Sequence, residues 1–225
     1  MIILGVIMLV VLYYLYVMFF VQRASTPMKN LKYDTITSIS VGSYPNPIAT
    51  RFSYSIWINT NTIDNSCSIY TVSENNIQLF NLSLQNSTNL YASVNVGGQQ
   101  QSYWITPNFP LQKWEHLIVS FDNNVMDVYL DGKFLKSYDL LKPVGGKTPG
   151  IPTQTSSSSL ITFGGTPQIT NSDIDIAQFE RLEYPMDPQT AWNKYLSDVP
   201  SAKGSKYGLS MNFALGANKT AIPLF

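Results

Sequence analysis

The side chains able to do chemistry are few, and their spacing restricts them. Asp173-Ile174-Asp175 puts two carboxylates two residues apart, on one face of a strand. Glu180 and Glu183 follow three apart, which sends them to opposite faces of a strand. Paired carboxyl groups do glycoside hydrolysis, which in its retaining form needs them about 5–5.5 Å apart. One of them also needs a pocket that raises its pKa. These four read instead as solvated strand edges and turns. His116 is the single histidine, so no metal site or proton relay can be assembled from several histidines. Cys67 is the single cysteine. It cannot close an internal disulfide, it favours a reducing compartment, and it reads as a small buried apolar residue. Tyr91, Tyr103 and Trp104 could form a platform on which a sugar ring stacks, although aromatics more often serve the core.

The composition says what must hold these groups. A chain of 225 residues suits one domain, and 44% hydrophobic residues supply a core. Charged residues make up only 12% and the net charge is zero. A nucleic-acid partner is excluded on that ground, because phosphate binding needs a basic surface. Ser, Thr, Asn and Gln carry the polarity, and 14 Tyr with 11 Phe suit a pleated surface.

Hydrophobic alternation marks the strands. Phe52, Tyr54, Ile56 and Ile58 alternate with Ser53, Ser55, Trp57 and Asn59. Further strands are expected at Ile69–Ser73, Ile77–Leu84, Leu90–Val96 and Gln100–Ile105, with Gly97-Gly98 as a turn. Leu117–Phe121 is almost continuously apolar, as inside a sandwich. Asp122-Asn123-Asn124 turns the chain into Met126–Leu130. Asp131-Gly132 then signals a hairpin into Phe134–Tyr138, because a type I′ turn needs φ > 0 at both central residues. Residues 142–159 form a long Pro-, Gly- and Ser-rich loop, a candidate partner contact through Lys142, Gly145, Lys147 and Ser157. Strands resume at Leu160–Phe163 and Ile174–Glu183. Asp187 is placed to cap a short helix with Pro188 in its first turn and Trp192, Tyr195 and Leu196 on one face. Tyr207, Leu209, Met211 and Phe213 alternate once more, and the two ends of the domain are expected to pair. The sum is an all-β, two-sheet antiparallel jelly-roll sandwich.

Residues 1–22 read differently. Met1–Val21 carries no charged side chain, and about 21 residues of helix span roughly 31 Å, the thickness of a bilayer's hydrocarbon. Ile2, Leu4, Val6, Leu9, Leu12, Leu15, Phe19 and Val21 are the expected lipid-facing residues of one transmembrane helix. A cleaved signal peptide would need a charged start and a shorter apolar stretch. Arg23, Lys29 and Lys32 lie downstream, which leaves the C-terminal part on the cytosolic side. Three glycosylation sequons, at Asn81, Asn86 and Asn218, argue the other way, but so many arise by chance in a chain this rich in Asn, Ser and Thr. The expected division is an anchor at 1–22, a linker at 23–32, the sandwich at 33–216 and a tail at 217–225.

Five segments in order resemble the concanavalin A-like lectin/glucanase superfamily in its laminin-G-like form: Phe52–Ile58, Trp114–Ser120, Asp127–Gly132, Ile161–Gly165 and Ile174–Tyr184. A longer set is similar to laminin-G-like proteins of giant viruses, several of which carry an N-terminal anchor: Pro110–Trp114, Leu117–Ser120, Asp127–Lys133 and Asp187–Tyr195. That resemblance implies a non-enzymatic virion protein, a minor capsid or inner-membrane protein. It would sit on the internal membrane, face the capsid, and contact capsid proteins or other copies of itself. A membrane-tethered glycan-binding protein is the alternative. The glucanase branch would require a Glu-x-Asp-x-(x)-Glu strand, and after Asp173 and Asp175 this chain has Ala177 and Phe179. The resemblance also gives His116 a structural place beside Trp114. It raises the prospect of a calcium ion on the sandwich rim near Asp122, Asp131 and Asp173, although spacing alone does not gather enough oxygen ligands. No cofactor is expected.

Overall fold

The computed structural model describes residues 8, 10–12, 31–32, 37–63, 66–142, 149–163, 173–202, 210–215 and 218–223. Fourteen strands are present among them: β1 Leu31–Lys32, β2 Thr37–Ser40, β3 Arg51–Thr62, β4 Ser66–Glu74, β5 Ile77–Gln85, β6 Asn89–Val96, β7 Gln99–Thr106, β8 Trp114–Asp122, β9 Val125–Leu130, β10 Lys133–Asp139, β11 Leu160–Phe163, β12 Asp173–Leu182, β13 Ser210–Leu215 and β14 Asn218–Pro223. A helix, α1, runs over Pro188–Ala202, and a 3-10 turn over Val41–Ser43.

Sheet I has the order β1-β12-β3-β8-β9-β10, and sheet II the order β2-β11-β4-β5-β6-β7. Every neighbouring pair is antiparallel. Short links suffice for most pairs because the turn residues accept left-handed backbone. Asn75-Asn76, Gly97-Gly98 and Asp131-Gly132 have positive φ at both positions, as two-residue hairpins require, and Asn86 and Ser87 do so in the three-residue link to β6. Gly132 is doubly needed: a Cβ there would lie 2.9 Å from the Trp192 ring.

The inner faces meet in one aliphatic and aromatic core. Ile56, Ile58, Leu117 and Val119 of sheet I face Val72, Leu82, Leu90 and Ala92 of sheet II, all essentially without exposure. Burial of this apolar surface is the main term holding the two sheets together.

One expectation is corrected: among the described residues the ends of the domain do not pair, since β13 pairs with β14 as a separate hairpin, while β1 pairs with β12 and β2 with β11. Of Trp192, Tyr195 and Leu196 in α1, Tyr195 stacks on Trp57 of β3 at 5.7 Å. Trp192 and Leu196 are about 40% exposed, and α1 is seated through Ala191 and, more shallowly, Tyr195, Lys194 and Asp198.

Candidate functional site

The outer face of sheet I lies under α1. Ser53, Ser55 and Trp57 of β3, read from alternation as the polar side of the strand, are wholly buried there. The segment leading into α1 is pinned to this face. Ser53 donates to the Tyr184 carbonyl, Tyr129 to the Met186 carbonyl, and the Ser120 hydroxyl accepts from the Met186 amide. Asp187 caps the helix by accepting from the amides of Gln189 and Thr190 at 2.9 and 3.0 Å. Below α1, Lys194 sits 2.8 Å from both Glu180 and Asp198.

This cluster holds a serine, a histidine and an aspartate. His116 Nε2 shares a 2.8 Å hydrogen bond with Ser55 Oγ, and Asp198 Oδ2 lies 3.9 Å away. It is not a proton relay. Asp198 approaches the same nitrogen that holds the serine, whereas a relay needs the acid on the opposite nitrogen. Ser55 and His116 have no exposure, so no substrate reaches them. Burial, helped by the Lys194 charge, holds the His116 imidazole down at about 3 and therefore neutral. The ring is stacked on Trp57 at 4.9 Å and faces Tyr195 at 6.0 Å. Trp57, rather than Trp114, is its direct stacking neighbour.

Sheet II presents a different outer face, and among the described residues no helix packs on it. One row crosses all six strands in register: Ser38, Thr162, Thr71, Asn81, Ser93 and Ser102. The next row holds Ser68, Ser83, Tyr91 and Trp104, with Tyr91 directly opposite Trp104. Hydrogen bonds knit this lattice: Ser38 with Thr162 at 3.2 Å, Ser68 with Thr71 at 2.9 Å, Ser68 to Asn81 Oδ1 at 2.8 Å, and Ser93 with Ser102 at 2.9 Å. Trp104 is 46% exposed, with Lys136 reaching over it to 5.8 Å from the ring centre. Tyr103, the third candidate for a sugar platform, is a core residue. It packs 4.9 Å from Tyr138 and donates to Gln101 Oε1.

A model of the concanavalin A-like lectin/glucanases superfamily, in its laminin-G form, matches residues 34–172, more than half of the chain. The chain belongs to that superfamily. No curated protein matches it. Among solved structures it is similar to the botulinum neurotoxin serotype D ligand-binding domain in complex with N-acetylneuraminic acid, at 14% identity and a TM-score of 0.60, covering 79% of this chain and 44% of that one. It is also similar to the binding domain of botulinum neurotoxin DC in complex with rat synaptotagmin II, at 16% identity and a TM-score of 0.55, covering 78% and 45%. The chain thus spans less than half the length of those proteins, and at such identities the likeness is one of fold.

In this laminin-G-like domain the carboxylates of the glucanase reading are dispersed. Asp173 and Asp175 point outward at the start of β12, Asp173 accepting from Asn61 at 3.0 Å. A bulge with Gln178 at φ 49° then shifts the alternation. Glu180 is consequently buried under α1 and paired with Lys194, not a solvated edge residue, and burial raises its carboxyl above the usual range. Glu183 lies beyond the strand. The rim aspartates are likewise separate. Asp122 pairs with Arg51, Asp131 accepts from the His116 amide, and Asp173 lies by Asn61. Among the described residues no three potential ligands gather for a metal. Cys67 is buried, and its thiol is pushed up to about 11 by that burial.

Of the expected contact loop, Gly145 and Lys147 lie outside the described residues, and Lys142 is exposed beside Asp139. Ser157 belongs to a strap held against sheet II: its carbonyl accepts from Ser40, and Glu74 accepts from Ser156, Ser158 and Ser159. Of the expected anchor, only Leu12 among the named residues is described; it is helical and half-exposed. Ile2, Leu4, Val6, Leu9, Leu15, Phe19 and Val21 lie outside the described residues. Among the described residues no helix is long and apolar enough to cross a membrane.

Proposed function

We propose that this domain is a non-enzymatic glycan-binding module, and that its first 22 residues tether it to a bilayer. The observation that carries the reading is the outer face of sheet II. There, paired Tyr91 and Trp104 adjoin a lattice of Ser, Thr and Asn side chains bearing no charge. A sugar offers an apolar C–H face to an aromatic ring and hydroxyls to neutral donors and acceptors, so each half of the ligand meets its match. The fold likeness to a neurotoxin domain solved with N-acetylneuraminic acid supports the same class of ligand. The tether rests on the length and apolarity of Met1–Val21. A place on a giant virus's internal membrane, linking it to the capsid, rests on sequence resemblance alone, and no feature of the fold favours it over glycan binding.

The test is a glycan array probed with the full chain in lipid nanodiscs, followed by calorimetry on the best ligand. Retention of a defined glycan, weakened by Trp104→Ala and Tyr91→Ala, is the expected result. Retention that both substitutions leave unchanged removes sheet II as the site, and no retention at all removes the function.

A further inference from the structure

The sandwich is not closed at one end. Between the two sheets, Phe52, Tyr54 and Phe121 of sheet I face Leu79, Phe80 and Val94 of sheet II across a cavity of about 80 Å³. Four rings make most of its wall: Phe52 lies 5.2 Å from Tyr54 and 5.1 Å from Phe121, and Phe80 lies 5.6 Å from Phe121. No charged side chain lines it. Polar groups occur only as neutral ones, including Thr50 and Asn123, which are hydrogen-bonded to each other at 2.9 Å, and Thr153 and Gln154.

The strap 149–155 crosses the mouth and is fixed there. Pro152 bridges to Val96, and Thr153 bonds Asn95 through its amide at 2.8 Å and its hydroxyl at 2.7 Å. Thr155 donates to the Pro47 carbonyl. The opening is therefore framed by held backbone rather than by a free loop. Ile151 stands at this mouth with its side chain more than half exposed, and it does not fill the apolar space beside it. Water gains little in such a place, because it needs two to four polar partners, and apolar cavities of this kind take apolar guests instead.

We infer that this end cavity is a second binding site, separate from the sheet II face, which takes a single uncharged aromatic ring bearing one hydrogen-bonding group. The ring enters edge-first against Phe52, Phe80 and Phe121, the arrangement that aromatic quadrupoles favour. Its polar group stays at the rim, where Thr50, Asn123 and Gln154 offer donors and acceptors. Ile151 closes over its exposed side. A carboxylate on the same ring is rejected, because nothing in the lining pairs a charge. The ring could belong to a free small molecule or to a tyrosine of a partner peptide. The inference does not depend on glycan binding.

The test uses the full chain in lipid nanodiscs with ¹³C-labelled Val and Ile methyls, titrated with phenol, benzoate and N-acetyltyrosinamide, with empty nanodiscs as the reference. Saturable shifts of the Val94 and Ile151 methyls with phenol are expected, with benzoate weaker by about ten-fold or more. Tighter binding of N-acetyltyrosinamide than of phenol assigns the site to a peptide side chain, and weaker binding assigns it to a free ring. Ala49→Trp, at the half-exposed rim, should abolish the shifts without changing the melting temperature. Val94→Phe should fill the cavity and do the same. If Val94→Phe fails to fold, Ala49→Trp alone decides. The inference is overturned if phenol leaves both methyls unshifted, if benzoate binds as well, or if Ala49→Trp leaves the shifts intact.

Discussion

On the six strands of sheet II, Glu74 is the one charged side chain, and it sits at the end of β4, where it clasps the serine strap. The strands of sheet I carry acids and bases along their length, several of them buried: Glu115, Glu180 and Arg181 are each at most 5% exposed. The two sheets share a strand count, an antiparallel plan and a common core. They differ in what their outer faces meet. Sheet I meets a helix, and its polar groups there are ion-paired and dry. Sheet II has no helix over it among the described residues, and its polar groups are neutral and partly wet. Ionic groups under a lid cost desolvation and demand exact partners, so they specify how α1 docks. A neutral lattice loses little on being uncovered or covered, and that suits a face that must exchange water for ligand. Substitutions on sheet I should therefore act on stability, and substitutions on sheet II on binding.

The largest effect is expected at Trp57. It has no exposure and packs in a three-ring cluster with His116 and Tyr195, at 4.9 and 5.7 Å. Trp57→Ala should cost about 3–5 kcal/mol, since nothing nearby can collapse into the space between a strand and a helix. Urea unfolding checks this, and a loss below about 1 kcal/mol would mean that α1 is not held as the stacked rings suggest.

Next comes Lys194→Met, which leaves Glu180 and Asp198 without their shared cation. A loss of about 3 kcal/mol is expected, since breaking a buried pair strands the remaining charge. Adding Glu180→Gln should restore part of it. If the double substitution is no better than the single one, the cost lies in packing and not in charge.

A smaller, pH-dependent effect separates Glu115 from His116. Burial, opposed by Lys113, pushes the Glu115 carboxyl from an ordinary 4.5 up to about 7. Between those values the folded state keeps a proton that the unfolded chain has lost, so stability falls as pH rises from 4.5 to 7. His116 works in the opposite sense. Its folded value of about 3 lies below an ordinary 6.5, so stability falls as pH drops through that window. The two slopes oppose each other between 4.5 and 6.5, and below that only the histidine's remains. Glu115→Gln should leave the histidine's rising slope unopposed between pH 4.5 and 6.5 and remove the fall between pH 6.5 and 7, while leaving the acid limb below pH 4.5 in place. An unchanged profile would show that Glu115 titrates as an ordinary carboxyl.

What the sequence disclosed follows from which forces are local. Strand alternation and turn chemistry are local, so β11 and the Asp131-Gly132 turn fall where the pattern puts them. The sequence offers Tyr91, Tyr103 and Trp104 alike and favours the core for all three; only the sheet separates half-buried Tyr91 and exposed Trp104 from buried Tyr103. The cover on sheet I is not local. Ser53, Ser55 and Trp57 look like a solvent face until α1, more than a hundred residues on, lies across them. Glu180 escaped for a second reason. The bulge at Gln178 breaks the two-residue period that would have told which face Glu180 joins, and nothing in the spacing of Asp173, Asp175 and Glu180 announces it. The cavity under the strap was invisible on both counts, since it is made by residues from five separate segments.

The smallest effect on stability should be the largest on binding. Trp104 sits on the edge strand β7, nearly half exposed, with Lys136 over its ring and Tyr91 across the ladder. Trp104→Ala uncovers only the part of the indole that packs on the sheet, so a loss of about 1–2 kcal/mol in unfolding free energy is expected, less than at the buried sites. Loss of one stacking plane should lower glycan affinity about ten-fold or more, because aromatic anchors dominate small contact areas. Calorimetry and urea unfolding on the same protein read both numbers. If Trp104→Ala unfolds the domain, its ring is a structural wedge between β7 and β10, and the contrast between the two sheets fails. If it leaves both stability and affinity alone, the neutral lattice binds without an aromatic platform, and the Ser93–Ser102 pair becomes the place to cut.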